Sequence, residues 1–402
     1  MNYERGALER PIQAVILAGG RGTRLRPLTD TQPKPMIDIL GKPFIAYQIE
    51  QLRDQGFRKI LLLLGYLPHV VQDYCGDGSR WGIDIHYSIS AVEDETARRL
   101  KIAESLLEPY FLLLYCDNYW PMQIEKMWLR FTDSHASAML TVYTNKDGYT
   151  RNSVRLSEDG YIETYDKMQK SSGLQGVEIS YGIFAKSLVE ALANENVSLE
   201  AALYVPLVQH KRLLAYVTDH RYYSVGSLHR LPLTELFLSR TPTIILDRDG
   251  VLNRKPSPAR YVRDWSEFQW LPGAKRALRL LKEAGYRVII VTNQAGVGRR
   301  IMTETHLQQI HDHMKSETEQ AGGHIAAIYY CPHDWNDGCG CRKPNPGMLF
   351  QAQREFHLDL TRTPFVGDDE RDGEAAARAG CPFVRVSEER PLIDYVYQFA
   401  SD

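Results

Sequence analysis

Apolar positions recur along this chain in short runs of strand length, each followed by a stretch where they return every three or four residues. A short continuous apolar run fits a strand buried on both faces, and a 3.6-residue period fits one apolar face of a helix. Their alternation predicts α/β architecture with largely parallel sheets. In the first half, residues 13–17, 59–64, 111–115 and 138–143 are predicted strands. Residues 44–55 are a predicted helix, with Phe44, Ile45, Ile49 and Leu52 near one face. A second series begins at 243–246 and continues at 287–291, 326–330 and 364–366. In it, residues 273–284 form an amphipathic helix, and Gly285 stands where a helix commonly ends. Residues 231–242 hold two prolines and continue neither pattern. They are assigned to a linker between predicted domains at 11–230 and 243–402.

A length of 402 residues is too great for one ordinary core and agrees with two domains. The chain is 44% hydrophobic and 24% charged, as soluble globular proteins are. A net charge of −2 argues against a nucleic-acid or membrane surface over the whole molecule, while leaving room for local phosphate sites. Residues 1–10 are polar, and the longest apolar run, 60–64, is far below the roughly 20 residues that cross a bilayer. A cytoplasmic chain is expected, with small-molecule partners and no nucleic acid or membrane; a homo-oligomer is compatible with this. Six cysteines do not make a disulfide scaffold at this length, and the crowding of three between 331 and 341 points to metal.

The predicted strand 243–246 ends in Asp247-Arg-Asp249-Gly-Val-Leu-Asn. A carboxylate at a strand end can attack phosphorus, and a second just beyond can protonate the leaving oxygen and then activate water. Three later segments add to this pair. Thr292-Asn293-Gln follows a strand and offers a hydroxyl. Arg342-Lys343-Pro-Asn-Pro-Gly supplies cations before a helix. Gly367-Asp368-Asp-Glu-Arg-Asp372 is an acidic loop suited to Mg²⁺. The ordered set resembles the haloacid dehalogenase superfamily of phosphatases. That resemblance implies Asp247 as nucleophile, Asp249 as acid/base, and Thr292 and Lys343 holding the phosphoryl group. It implies Mg²⁺ bound by Asp247, Asp368 and the main-chain carbonyl of Asp249, with Asn293 and Arg342 toward the substrate. Cys331, His333, Cys339 and Cys341 offer three thiols and an imidazole, a closed tetrahedral set for a structural zinc. A loop of this kind resembles the group containing heptose 1,7-bisphosphate phosphatase and histidinol phosphatase.

In the first half, Gly19-Gly20-Arg-Gly22-Thr-Arg24-Leu follows the first strand and Pro33-Lys34-Pro follows that. Glycines let main-chain amides approach phosphates closely, and Arg24 can neutralise them. The set resembles the sugar-1-phosphate nucleotidyltransferases, with a Rossmann-like fold. That resemblance implies Arg24 and Lys34 at the triphosphate, Asp117 at Mg²⁺, Lys167 at the sugar phosphate, and Glu178 with Tyr181-Gly182 at the sugar. Three positions depart from the family pattern. Ser224 replaces a second metal carboxylate. Arg98 and Arg99 stand where relatives have small residues, adding bulk and charge beside the base pocket. Asp166-Lys167-Met168 replaces Glu-Lys-Pro.

Together the two resemblances imply a bifunctional enzyme of sugar-nucleotide synthesis. One half would remove the 7-phosphate of D-glycero-D-manno-heptose 1,7-bisphosphate. The other would transfer a nucleotidyl group, GMP on this reading, to the 1-phosphate. The alternative is a histidinol-phosphate or other small phosphomonoester phosphatase joined to a non-catalytic sugar-phosphate-binding domain.

Overall fold

The strands of the first half are nearly continuous apolar runs because both of their faces are covered. In the computed structural model, which describes residues 9–257 and 260–399, the chain divides into two units, Met1–Leu238 and Ser239–Asp402. The main sheet of the first unit has seven strands. In chain order they are Gln13–Ala18 (β1), Lys59–Leu64 (β2), Asp84–Ile89 (β3), Tyr110–Tyr115 (β4), Ala138–Tyr143 (β5), Val177–Ala185 (β6) and Leu213–Thr218 (β7). Their order across the sheet is β7-β5-β6-β4-β1-β2-β3. Neighbours are parallel except at β6, which runs antiparallel to both β4 and β5. Alternate residues of each strand enter opposite cores. Ala14, Ile16 and Ala18 join one with Leu62 and Leu114, while Val15 and Leu17 join the other with Leu61 and Leu113. The register pairs Leu17 with Tyr115. The residues just beyond, Gly19-Gly20 and Asp117, are thereby brought to one sheet edge.

The second unit holds five parallel strands: Thr243–Leu246 (β8), Arg287–Asn293 (β9), Ala327–Cys331 (β10), Phe365–Gly367 (β11) and Phe383–Arg385 (β12). Their order is β10-β9-β8-β11-β12, with helices supplying a core on each face. Leu246 pairs with Ile290 on one side and Val366 on the other. Such an edge, at the carboxyl ends of parallel strands, is where ligands of open α/β sheets bind.

The predicted α/β class is the observed one. Helix Ala274–Glu283 ends as predicted, with Gly285 at φ 78°. Four strands of the two main sheets were not predicted: Asp84–Ile89, Val177–Ala185, Leu213–Thr218 and Phe383–Arg385. The first and last lie at sheet edges, where a partly polar sequence is tolerated. The segment assigned to a linker is corrected. Leu231–Leu238 is a helix of the first unit, with Thr234, Phe237 and Leu238 buried. Its proline, Pro232, sits in the first turn, where a missing N–H costs nothing. Among the described residues no helix is long and apolar enough to cross a membrane.

The Thr234 hydroxyl ties that helix to the strand Tyr223–Ser224, accepting from Ser224 N at 3.1 Å and donating to Ser224 O at 2.9 Å. Thr234→Val leaves both main-chain groups buried without a partner. It is expected to lower the stability of this unit by about 1–3 kcal/mol, read by denaturant unfolding.

Candidate active sites

In the second unit, Asp247 follows β8 directly and is buried. The Arg248 main-chain N–H donates to its Oδ1 at 2.7 Å. The loop then turns sharply at Gly250, whose φ is 92°. A Cβ at Gly250 would lie 2.4 Å from Asp368 Oδ2, so this position admits glycine alone. Asp368 comes from the end of β11, and the helix Glu370–Ala379 begins just after it. Asp369 caps that helix, and Asp372 closes the capping box by accepting from Asp369 N at 3.1 Å.

Lys343 stands among these carboxylates with 3% of its surface exposed. Its Nζ lies 2.9 Å from Asp247 Oδ1, 2.7 Å from Asp372 Oδ1 and 3.0 Å from Val291 O, so all three donors are engaged. Burial opposes this charge, but Asp247 and Asp372 more than offset it and hold its pKa above the usual lysine value. Burial pushes the Asp247 carboxyl up, Lys343 opposes the rise, and Asp372 and Asp249 add to it. Asn293 pins the main chain of Lys343 from both sides. Its Oδ1 accepts from Lys343 N at 3.0 Å, and its Nδ2 donates to Lys343 O at 3.1 Å.

Asp249 is gripped by donors other than Lys343. Asn253 Nδ2 lies 2.8 Å from Oδ1, Gln294 Nε2 lies 2.9 Å from Oδ2, and Arg248 Nη2 lies 2.9 Å from Oδ2. Burial would raise its pKa, but the Arg248 charge and these hydrogen bonds outweigh it and hold the group below the usual aspartate value. Gln294 also donates to Thr292 Oγ1 at 2.9 Å. Asp247, Asp249, Thr292, Asn293, Arg342 and Lys343 line one cleft of about 160 Å³.

Ligand oxygens of Asp247, Asp368 and Asp372 lie within 4.8 Å of one another. Asp368 Oδ1 is buried with no hydrogen-bond partner, while Oδ2 accepts from Lys255 Nζ at 2.7 Å. An unpartnered buried carboxylate oxygen facing two more carboxylates fits a hard divalent cation. The Asp249 side chain is not in this group. Arg248, Lys255 and Gln294 were given no role from sequence, and Asp372 was named only as part of the acidic loop. Only Asp372 had a readable signal, its four-residue spacing from Asp368 at a helix start.

Cys331 ends β10, and Cys339 and Cys341 return on the loop before Arg342. Sγ of Cys331, Cys339 and Cys341 and Nδ1 of His333 stand 3.2–3.6 Å apart across five pairs. Edges of about 3.8 Å are those of a tetrahedron with zinc–sulfur bonds near 2.3 Å. The four donors therefore fit a closed zinc site, and all four expected ligands are gathered.

In the first unit, Gly19, Gly20, Gly22, Lys34 and Asp117 line a cavity of about 380 Å³, within the size range of ligand pockets. Lys34 Nζ lies 3.0 Å from Asp117 Oδ2. Arg24 is exposed and not part of this wall, though close enough for its charge to oppose that of Lys34. Lys167 pairs with Glu200, a residue not singled out from sequence. Glu178 is buried, accepting from Ser180 N and, at 3.3 Å, from Tyr165 OH. Burial raises its pKa, against the pull of Lys167. Tyr181, expected beside the sugar, is instead in the core with its hydroxyl 3.3 Å from Gln51 Oε1.

The two arginines part company. Arg98 reaches outward to Asn194 O at 3.4 Å. Arg99 is 4% exposed and lines the cavity. It donates to Leu64 O, Ser90 Oγ, Ala91 O and Val92 O at 2.8–3.1 Å. Ser224 Oγ accepts from Gly226 N at 2.9 Å, and Val225 N donates to Asp117 O at 2.9 Å. The position of the missing carboxylate is therefore beside Asp117.

Comparison with known proteins agrees with this division. Residues 13–164 match the model of the nucleotidyl transferase family, and residues 185–380 that of the haloacid dehalogenase-like hydrolases. The second match begins inside the first unit, but the strands that carry the hydrolase site start at Thr243. A D-glycero-β-D-manno-heptose-1,7-bisphosphate 7-phosphatase of Bordetella bronchiseptica is 44% identical over 138 residues, 34% of this chain and 76% of that protein. A D-glycero-α-D-manno-heptose-1,7-bisphosphate 7-phosphatase of Mycobacterium bovis is 38% identical over 149 residues, 36% of this chain and 78% of that protein. A solved structure assigned to a glucose-1-phosphate thymidylyltransferase of Bacillus anthracis has a TM-score of 0.50 at 16% identity. It covers 56% of this chain and 94% of its own, and speaks for the fold of the first unit alone. By its second unit the chain belongs to the heptose-bisphosphate 7-phosphatase family of haloacid dehalogenase-like hydrolases, and it carries a nucleotidyl transferase domain ahead of it.

Proposed function

We propose that the second unit hydrolyses the 7-phosphate of D-glycero-D-manno-heptose 1,7-bisphosphate and that the first transfers a nucleotidyl group to the heptose 1-phosphate left behind. The observation that carries the phosphatase reading is Lys343 Nζ, 2.9 Å from Asp247 Oδ1 at the floor of an open cleft. Asp247 attacks phosphorus in line. The bond from phosphorus to the sugar oxygen breaks, and Asp249 gives that oxygen a proton. Asp249 then takes a proton from water, which attacks phosphorus and frees phosphate from Asp247. The Thr292 hydroxyl holds a phosphoryl oxygen, Lys343 sets positive charge beside it while its own donors stay on Asp247, Asp372 and Val291 O, and Arg342 contacts the substrate beyond them. Asp247, Asp368 and the main-chain carbonyl of Asp249 would hold Mg²⁺, with Asp372 beside them. When bound, that ion supplies positive charge against the phosphate oxygens. A zinc held by Cys331, His333, Cys339 and Cys341 would brace the loop that delivers Lys343.

In the first unit, the glycine turn and Lys34 would take the triphosphate, Asp117 Mg²⁺, and Lys167 and Glu178 the sugar phosphate. Guanosine triphosphate is the donor on the family resemblance. Ser224 favours one second reading, a domain that binds sugar phosphate without transferring a nucleotide, since one metal carboxylate is absent. Mg²⁺-dependent pyrophosphate release from GTP and heptose 1-phosphate separates the two.

Phosphate release from both anomers of the bisphosphate is expected to exceed that from histidinol phosphate by at least about a hundredfold. Asp247→Asn is expected to lower it at least about a thousandfold while sparing pyrophosphate release. Asp117→Asn is expected to do the reverse. Faster turnover of histidinol phosphate would overturn the substrate assignment. Metal analysis is expected to find about one zinc per chain, lost in Cys339→Ser together with thermal stability of the phosphatase unit. A zinc-free wild type of equal stability would count against the bracing role.

A further inference from the structure

Arg248 lies between the two aspartates in sequence, yet its side chain is 1% exposed. The guanidinium folds back onto Asp249. Its Nη2 lies 3.1 and 2.9 Å from Oδ1 and Oδ2, and its Nε lies 3.3 Å from Oδ1. The other arm, Nη1, lies 3.3 Å from Nε2 of His311. His311 sits on the helix Glu304–Gln320 with 2% exposure, its ring 5.8 Å from that of Tyr330. A guanidinium can only donate, so Nε2 accepts, and the imidazole is neutral with its proton on Nδ1. Burial pushes this histidine down to about 3. The charge of Arg248 pushes the same way, Asp249 pulls against it, and Lys315 adds a smaller push downward.

With two arms on the carboxylate, the third would be a buried donor without an acceptor, and His311 takes it. Asn253 and Gln294 hold Asp249 with neutral amides, whereas Arg248 is the one charged group bonded to it among the described residues. We propose that His311 and Arg248 are positioning residues for the acid/base: the imidazole fixes the guanidinium, and the guanidinium fixes which oxygen Asp249 turns toward the leaving group. This rests on the reading of Asp249 as acid/base.

The test compares two substrates that differ in need for a proton. From a heptose bisphosphate the 7-oxygen of heptose 1-phosphate leaves as an alkoxide and needs one, whereas 4-nitrophenyl phosphate releases a stable phenolate. Full-length variants are checked for folding by circular dichroism, and the first turnover is followed by rapid quench. His311→Leu, which keeps volume without an acceptor, is expected to slow the sugar substrate about ten- to hundredfold while changing the nitrophenolate burst less than about threefold and leaving KM unmoved. His311→Gln, which keeps an acceptor, is expected to recover most of the loss. Should His311→Leu fail to fold, Arg248→Lys keeps the charge but cannot span both partners, and is read in the same way. Equal losses on both substrates, or no loss on either, would overturn the proposal. Asp249→Asn is the control. If it too fails to separate the substrates, the acid/base reading itself falls and takes the proposal with it.

Discussion

A single buried ammonium makes the phosphatase site possible. The carboxyl ends of β8 and β11 and the first turn of the following helix crowd Asp247, Asp368 and Asp372 into one small volume. Mutual repulsion and desolvation would protonate such a group. Lys343 opposes this at Asp247, whose carboxyl burial still raises, and spends every donor it has, two on carboxylates and one on a main-chain carbonyl. Breaking a buried pair of this kind costs about 3–5 kcal/mol, because the partner charge stays behind. Much of the surrounding structure can be understood as holding that ammonium in place. Asn293 brackets its backbone, and the cysteine loop ties down the chain just before it, where Asn345 Nδ2 also donates to Cys339 O at 2.8 Å.

Asp249 is only two residues from Asp247 but lives under different electrostatics. Asp247 faces an ammonium and another carboxylate, and burial raises its pKa. Asp249 faces a guanidinium and two amides, which lower its own. Taken alone, these directions favour the ionised form of Asp249 that accepts a proton from water, and a cation held by Asp247 and Asp368 would draw the Asp247 carboxyl down toward the charged nucleophile. The division depends on the loop reversing at Gly250, since a side chain there would strike Asp368.

Sequence patterning was most informative where the physics is local. Apolar runs located most central strands because those are buried on both faces, as β1 and β2 are; β6, also central, was missed because Glu178 and Ser180 interrupt its run. It was least informative at Asp84–Ile89 and Phe383–Arg385, edge strands whose polar residues break the run. The helix Leu231–Leu238 was missed because a first-turn proline was read as a breaker. The acidic, basic and thiol motifs were legible because their chemistry lies in residue type and spacing. The roles of Gln294 and His311 were not. They depend on β9 and on the helix Glu304–Gln320 meeting the loop of Asp249, and nothing local encodes that meeting. Arg99 shows the same limit from the other side. Its place was visible as a departure from a family pattern, but its five oxygen partners from three segments, Gly19 O at 3.4 Å among them, were not.

The central claim is that Asp247 carries the phosphoryl group during turnover. The most direct measurement is to quench the enzyme in acid while it turns over substrate labelled at the 7-phosphate, then map the label on the chain. The account predicts an acid-stable, base-labile acyl phosphate on the peptide containing Asp247, approaching one group per chain when water attack is slowed. Brisk phosphate release with no label on the chain at any time of quench would contradict it, and would mean that water attacks the substrate directly.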